Sequence, residues 1–163
     1  MTVSRSIAGF LICVTGFGCQ PRPDQPLTSD EQRTIAETVE NLFDEIATAT
    51  NDLEFERLLQ FYRRSDDLTY VARGRINRSH ATFAELLDAQ FGAVTSAELR
   101  FLEKTVDVVS RDVVVVTALF QFAATLGTGE TGRSSGTFMC IYVLRDARWE
   151  IQYSSHTFPA DGQ

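Results

Sequence analysis

The strongest constraint in this sequence of 163 residues is a long run of apolar residues, from Val113 to Leu126. The run is rich in β-branched and aromatic side chains, and so are the two segments after it, Thr137 to Leu144 and Trp149 to Phe158. Such residues favour extended strands. Two stretches dense in turn-forming residues, LGTGETGRSSG and RDAR, separate the three segments. The region therefore predicts an antiparallel meander of long strands.

The chain before this run predicts helices that cover one face of the sheet. Apolar residues recur at helical spacing in three segments, which begin near Thr28, near Asn51 and at Ser79. A short strand is predicted at 68–72, and a further long strand from Ala97. We therefore predict an α+β fold, a curved antiparallel sheet of four long strands plus a short one, packed by three N-terminal helices. Helices laid across a curved sheet leave a hollow near its open end.

The first nineteen residues differ in composition from the rest of the chain. Ile7 to Gly18 carries no charge and is too short to cross a bilayer of about 30 Å as a helix. It has the length of the apolar part of a signal peptide. Cys19 follows directly, and a proline-rich tether, QPRPDQPL, comes next. This order resembles a bacterial lipoprotein signal, in which the cysteine is acylated, and an ordinary signal cleaved near Gly18 is the alternative.

This interpretation divides the chain into a signal peptide at 1–19, a flexible linker at 20–27, a folded domain at 28–159 and a tail at 160–163. Lipid on Cys19 would anchor the domain to the cell envelope, at the outer membrane or facing the periplasm. Without the lipid the protein would be secreted. Cys140 would then be the remaining cysteine of the domain, so we expect no internal disulfide.

The charge of the chain argues against a nucleic-acid-binding surface. The formal net charge is -7 and the pI is near 4.8, whereas binding to a phosphate polymer needs a clustered basic face. Arg73, Arg75 and Arg78 form one local basic cluster, which we interpret as a solvated turn. For Arg73 the alternative is a place at the open end of the hollow, where its guanidinium would meet an anionic ligand. The two histidines, His80 and His156, lie in unrelated segments, so no metal site is predicted. No glycine-rich phosphate loop is present, and no cofactor is expected.

The element order resembles the SnoaL-like branch of the nuclear transport factor 2-like superfamily. The segments that carry the resemblance are LTYVARGRI, DVVVVTALFQF and FMCIYVLRDARWEIQYSSHTFP, and it covers Thr28 to Pro159. In the closing strand, relatives often carry Trp, an aliphatic residue, His, His and Ser at alternate positions before a Pro. Here those positions hold Trp149, Ile151, Tyr153, Ser155 and Thr157, followed by Pro159. The first two match, and the two histidines and the serine are replaced.

The resemblance implies a cone-shaped fold with a pocket between the helices and the sheet. Enzymes of the superfamily use a carboxylate or histidine base in the cone, with a tyrosine or an acid opposite. Strict alternation along the last strand places His156 on the outer face, so we find hydroxyls but no base at inward positions. The predicted pocket residues are Tyr62, Tyr70, Tyr142, Trp149, Tyr153 and Ser155. Each tyrosine has the alternative role of a core aromatic, Trp149 that of a packing residue, and catalytic residues stay unassigned.

Two functional hypotheses follow, because this fold hosts many activities. The first is an envelope-anchored or secreted domain that binds a small, partly apolar ligand or a partner protein without catalysis. The alternative is an isomerase or hydrolyase that uses acid-base chemistry in the cone. The two differ in whether an ionisable group lies at the bottom of the hollow beside a tyrosine. A homodimer through the outer sheet face is also expected, and that face is marked by Thr117, Gln121, Gln152 and His156.

The first prediction concerns the lipid anchor. Replacing Cys19 by Ser removes the sulfur to which lipid would be attached, so the protein should move from the membrane pellet to the soluble fraction of lysed cells. Quantitative immunoblotting of both fractions measures the shift. Cys13→Ser, within the apolar segment, is the matched control and should leave the distribution unchanged. A Cys19→Ser protein that stays in the pellet would show that no lipid on this residue holds it there.

Overall fold

The computed structural model describes residues 26–159. The predicted signal peptide with Cys19, the linker as far as residue 25 and the tail at 160–163 lie outside the described residues. The helices are α1 (Ser29–Asn51), α2 (Phe55–Leu59) and α3 (His80–Phe91). The strands are β1 (Thr69–Ala72), β2 (Arg75–Arg78), β3 (Val94–Ser110), β4 (Val113–Leu126), β5 (Thr131–Arg145) and β6 (Arg148–Thr157). The predicted α+β class, with a curved open sheet and N-terminal helices, is confirmed. Within this part of the chain no helix is long and apolar enough to cross a membrane.

The six strands form one sheet in the order β2-β1-β6-β5-β4-β3. All neighbours are antiparallel except β1 and β6, which run parallel. The sheet has one strand more than the sequence predicted, because the chain after Gly74 returns as β2. The sequence of β2, RINR, offers one apolar side chain, Ile76, and 67% of it is exposed, so no alternation marked the strand.

Helix α1 begins at a capping box and is held to the sheet by its apolar face. The Glu31 N–H donates to Thr28 Oγ1 over 3.2 Å, and the Thr28 N–H donates back to Glu31 Oε2 over 2.8 Å. Phe43, on the buried face of α1, lies 4.2 Å from Phe101 of β3 and 5.7 Å from Phe138 of β5, between ring centroids. These contacts fix the helix across the inner face of the long strands.

A β-bulge interrupts strand β6 at Gln152. Tyr153 pairs with Ile141 and Ile151 pairs with Tyr142, so Gln152 is one extra residue opposite two consecutive residues of β5. The Gln152 side chain is buried and its Nε2 donates to the Asp67 carbonyl oxygen over 2.7 Å. Side chains point to alternate faces of a strand, so the extra residue exchanges the faces for the rest of β6.

The second prediction concerns the close approach of the last strand to β5. A Cβ atom at Gly136 would collide with the carbonyl oxygen of Thr157 and lie 3.2 Å from the Phe120 ring. Gly136→Ala should therefore lower the free energy of unfolding by about 2 kcal/mol, as overpacking does. Gly132→Ala, in the same strand with nothing within 4 Å of its added Cβ, is the control and should change stability by less than about 0.5 kcal/mol. Urea denaturation measures both, and equal stabilities would show that the strand yields at Gly136.

Candidate functional site

A cavity of about 180 Å³ lies between the helices and the inner face of the sheet. Most of its wall is apolar, and seven phenylalanine rings contribute to it, Phe83, Phe91, Phe101, Phe120, Phe122, Phe138 and Phe158. The polar side chains in the wall are Thr50, Tyr62, Tyr70, Arg73, Gln90, Ser134 and His156. A mostly apolar hollow with a few converging polar groups is the usual form of a small-molecule site. We therefore place the candidate site here.

His156 supplies the imidazole in this wall. It pairs with Phe138 across the β5–β6 ladder, and the two rings stack with centroids 4.3 Å apart. The edges of Tyr70 and Phe120 approach the imidazole, with centroids 5.6 Å and 5.7 Å away. The Nδ1 atom is buried, and no group within residues 26–159 forms a hydrogen bond with it. A buried polar atom without a protein partner is uncommon, and this nitrogen is free to form a hydrogen bond with a molecule in the cavity.

The environment keeps the imidazole uncharged. Burial lowers the pKa of His156 from its ordinary value of 6.5 to about 4, because the ionised ring would lose its hydration. None of the described residues that line the cavity is a carboxylate, so none of them offsets this loss with a counter-charge. At neutral pH the ring therefore offers one N–H donor and one nitrogen acceptor.

The bulge at Gln152 corrects the predicted orientation of the last strand. Tyr153 and Ser155 were predicted to face the pocket, but Tyr153 is 47% exposed and Ser155 pairs with the exposed Met139. Directly paired residues share a face of the sheet, so both lie on the outer face. His156, assigned to the outer face by strict alternation, lines the cavity instead. The alternation holds on each side of Gln152 and reverses at it.

The other predicted pocket residues divide into two pairs. Tyr62 and Tyr70 line the cavity, with ring centroids 4.3 Å and 4.9 Å from Phe83. Burial raises the pKa of both phenols, so their hydroxyls stay protonated. Tyr142 is fully buried in the core, and Trp149 packs against that core, and neither lines the cavity. The structure thus brings Tyr62 and Tyr70 together with His156.

Two residues at the mouth of the cavity are Arg73, for which the sequence favoured a solvated turn over a place at this mouth, and Phe158, which sequence reasoning missed. Arg73 lies in the two-residue turn between β1 and β2, where Arg73 and Gly74 have φ values of 51° and 73°. Its guanidinium carbon is 5.8 Å from the centre of the Phe158 ring, a cation–π contact. Both side chains line the cavity. A hairpin arginine has no periodicity that would mark it as part of a site.

The outer sheet face differs from the predicted dimer surface. Thr117 lies on the outer face beside exposed Leu119, but Gln152 is buried and His156 lines the cavity. The exposed side chains of this face include Leu119, Met139 and Tyr153, which makes it more apolar than predicted. Homodimerisation through this face stays a prediction.

Cys140 and the two aspartates before β1 have ordinary structural roles. Cys140 is a free cysteine in the core, and burial raises the pKa of its thiol. Asp66 and Asp67 are exposed in the turn before β1. Across residues 26–159, no three His, Cys, Asp or Glu side chains come together as a metal site would need.

Solved structures share this architecture at low sequence identity. A candidate scytalone dehydratase of Novosphingobium aromaticivorans has a TM-score of 0.73 at 12% identity, covering 82% of this chain and 89% of that one. A type 2 hexachlorocyclohexane dehydrochlorinase has a TM-score of 0.66 at 14% identity, and the match covers 81% of this chain and 90% of that one. A nuclear transport factor 2-like protein of Salmonella enterica serovar Typhimurium has a TM-score of 0.64 at 17% identity, and the match covers 84% of this chain and 96% of that one. At these identities the likeness shows the fold alone.

A comparison of the sequence with known families assigns the chain to a family. No curated protein matches the chain significantly. The family described as the SnoaL-like domain matches residues 39–161, which include most of α1, all of the sheet and the residues around the cavity. Together with the fold, this match shows that the chain belongs to the SnoaL-like domain family.

Proposed function

We propose that this domain, held at the cell envelope or secreted, binds a small, largely apolar molecule in the cavity, with a hydrogen bond to His156. The observation that carries the proposal is the buried, unpartnered Nδ1 of His156 in a wall of aromatic rings. The cavity of about 180 Å³ is slightly larger than an engineered apolar cavity of about 150 Å³ that binds benzene. A molecule with one six-membered ring therefore suits its size.

The energetics favour a ligand that carries a polar substituent. A buried nitrogen without a partner costs about 1–3 kcal/mol, and a ligand that bonds to it removes this cost. The Phe83, Phe138 and Tyr70 rings offer faces and edges to a planar ring. Aromatic groups in such arrangements gain about 0.5–1.5 kcal/mol beyond simple burial. The wall thus supports ring-shaped ligands with a donor or acceptor directed at the imidazole.

Acid-base catalysis is the second candidate, and one observation favours it. His156 is an ionisable group at the cavity wall beside Tyr70, which is the arrangement that separates the two hypotheses. A general base works best when its pKa is near the working pH, however, and the pKa of His156 is about 4. In the part of the chain that the structure describes, no carboxylate lines the cavity to raise that pKa. The dehydratase and the dehydrochlorinase support such chemistry only by shared fold. We therefore place binding first.

The third prediction tests the hydrogen bond with two matched probes, p-cresol and toluene. At pH 7 the wild-type protein should bind p-cresol about fivefold more tightly than toluene, because a net hydrogen bond contributes about 1 kcal/mol. His156→Phe should keep toluene binding within about twofold and abolish the preference for p-cresol. Isothermal titration calorimetry measures both affinities. His80→Gln is the control, since His80 Nε2 lies 3.2 Å from the Leu59 carbonyl oxygen and outside the cavity wall.

The outcomes separate the two functions. Binding of neither probe would contradict a small-molecule site in this cavity. Exchange of the α-protons of cyclohexanone for deuterium, followed by NMR, tests for a working base. Exchange that the wild-type protein accelerates and His156→Phe does not would favour the catalytic candidate. Probe binding without acceleration would favour binding alone.

The fourth prediction follows from the lowered pKa of His156, which is about 4 when folded and 6.5 ordinarily. The unfolded chain binds the proton more readily, so the contribution of the neutral ring is fully present above pH 6.5 and is lost as the pH falls toward 4. The free energy of unfolding of the wild-type protein should fall between about pH 7 and about pH 4.5. In His156→Phe this fall should be smaller by about 2 kcal/mol, because the variant lacks the imidazole. Urea denaturation at both pH values measures it. An equal acid sensitivity of both proteins would show that the imidazole is solvated.

A further inference from the structure

We infer that the natural ligand is a small carboxylate anion, whose apolar ring occupies the cavity while Arg73 binds its carboxylate at the mouth. This inference rests on the proposed function, because it requires that the cavity binds a small molecule. It names the charge and the functional group of that molecule. The supporting observations are the charges around the cavity, the ion pairing of the arginines and the placement of Arg73 relative to His156.

The first observation is the sign of the charge in the wall. Among residues 26–159, Arg73 is the one arginine or lysine that lines the cavity, and no aspartate or glutamate of that range lines it. The whole chain has a formal net charge of -7. A lone cation at the opening of an apolar cavity, in an acidic protein, gives that opening a local preference for anions.

The second observation is that Arg73 belongs to the arginines that form no ion pair with a carboxylate of residues 26–159, whereas Arg57 and Arg111 belong to those that do. Arg57 pairs with Glu54 at 2.9 Å, and Arg111 pairs with Glu31 at 2.6 Å. Within residues 26–159, no carboxylate lies at ion-pair distance from Arg73. The guanidinium rests on the Phe158 ring instead. Its N–H donors thus remain available to an anion.

The third observation is that the fold fixes Arg73 next to the imidazole. Strand β1 runs parallel to β6, and Ala72 at the end of β1 pairs with His156. Arg73 is the next residue after Ala72, so it lies close to His156. Phe120 connects the two, since its ring is 5.7 Å from His156 and 5.9 Å from Phe158, on which Arg73 rests. One ring-sized molecule against Phe120 could therefore contact both polar groups.

The chemistry of the guanidinium selects the anionic group. Its planar fork of N–H donors matches the two oxygens of a carboxylate, and such charge-assisted hydrogen bonds are about twice as strong as neutral ones. The aromatic wall around the cavity leaves room for a single ring behind that group. Arg75 and Arg78, on the outer arm of the same hairpin, add to the positive potential without lining the cavity. Small monocyclic carboxylates therefore fit the site best.

The fifth prediction uses benzoate and its neutral counterpart benzyl alcohol as probes. Arg73→Gln should weaken benzoate binding about tenfold, because it removes a charge-assisted pair, and should change benzyl alcohol binding by less than about twofold. Arg75→Gln, at the start of β2 in the same hairpin, is the matched control and should change either affinity by less than about twofold. Isothermal titration calorimetry measures each affinity. Raising NaCl from about 0.05 M to about 0.5 M should weaken benzoate binding alone.

The outcomes distinguish this inference from the proposed function. Binding of benzyl alcohol with no preference for benzoate would leave the proposed function intact and would overturn the inference that the ligand is an anion. So would an Arg73→Gln protein that binds benzoate as tightly as the wild type, or equal losses in Arg73→Gln and Arg75→Gln. Binding of neither benzoate, benzyl alcohol nor p-cresol would overturn the proposed function and, with it, this inference.

Discussion

The buried side chain of Gln152 holds the bulge in β6, and the bulge decides which chemistry faces the cavity. Its Oε1 accepts a hydrogen bond from Arg63 and its Nε2 donates to the Asp67 carbonyl oxygen, so it ties β6 to the segment that leads into β1. Because the extra residue exchanges the faces of the strand, His156 points inward and Tyr153 outward. A hydrogen-bonded amide in the sheet thus places an imidazole in an aromatic cavity.

The aromatic cavity in turn determines what the imidazole can do. Surrounded by Phe138, Phe120 and Tyr70, the ring of His156 is too poorly hydrated to carry a proton at neutral pH. A neutral ring offers a ligand one donor and one acceptor, and its low pKa makes it a weak base at neutral pH. Among residues 26–159 no carboxylate lines the cavity, so the aromatic rings around the imidazole dominate its pKa.

The sequence predicted the elements that depend on local periodicity and missed what depends on an interruption of it. The helical spacing of apolar residues after Thr28 located α1, whose buried face includes Val39, Phe43 and Ile46. Period-two reasoning, by contrast, carried the orientation of Trp149 and Ile151 across a bulge that no residue type announces, and so misplaced Tyr153, Ser155 and His156. Gln152 is an ordinary surface residue in sequence, and only its partners in the 63–67 segment explain its burial.

The same reversal links the inner and outer surfaces of the sheet. The outward turn of Tyr153 places an aromatic side chain on the face that also exposes Leu119 and Met139, so this face becomes more apolar as the cavity gains its imidazole. A slip of one residue at Gln152 would restore Tyr153 to the inside, and it would expose Ser154, which is now buried opposite Cys140. The register of one strand therefore sets the chemistry of both surfaces, and any change at Gln152 acts on the two together.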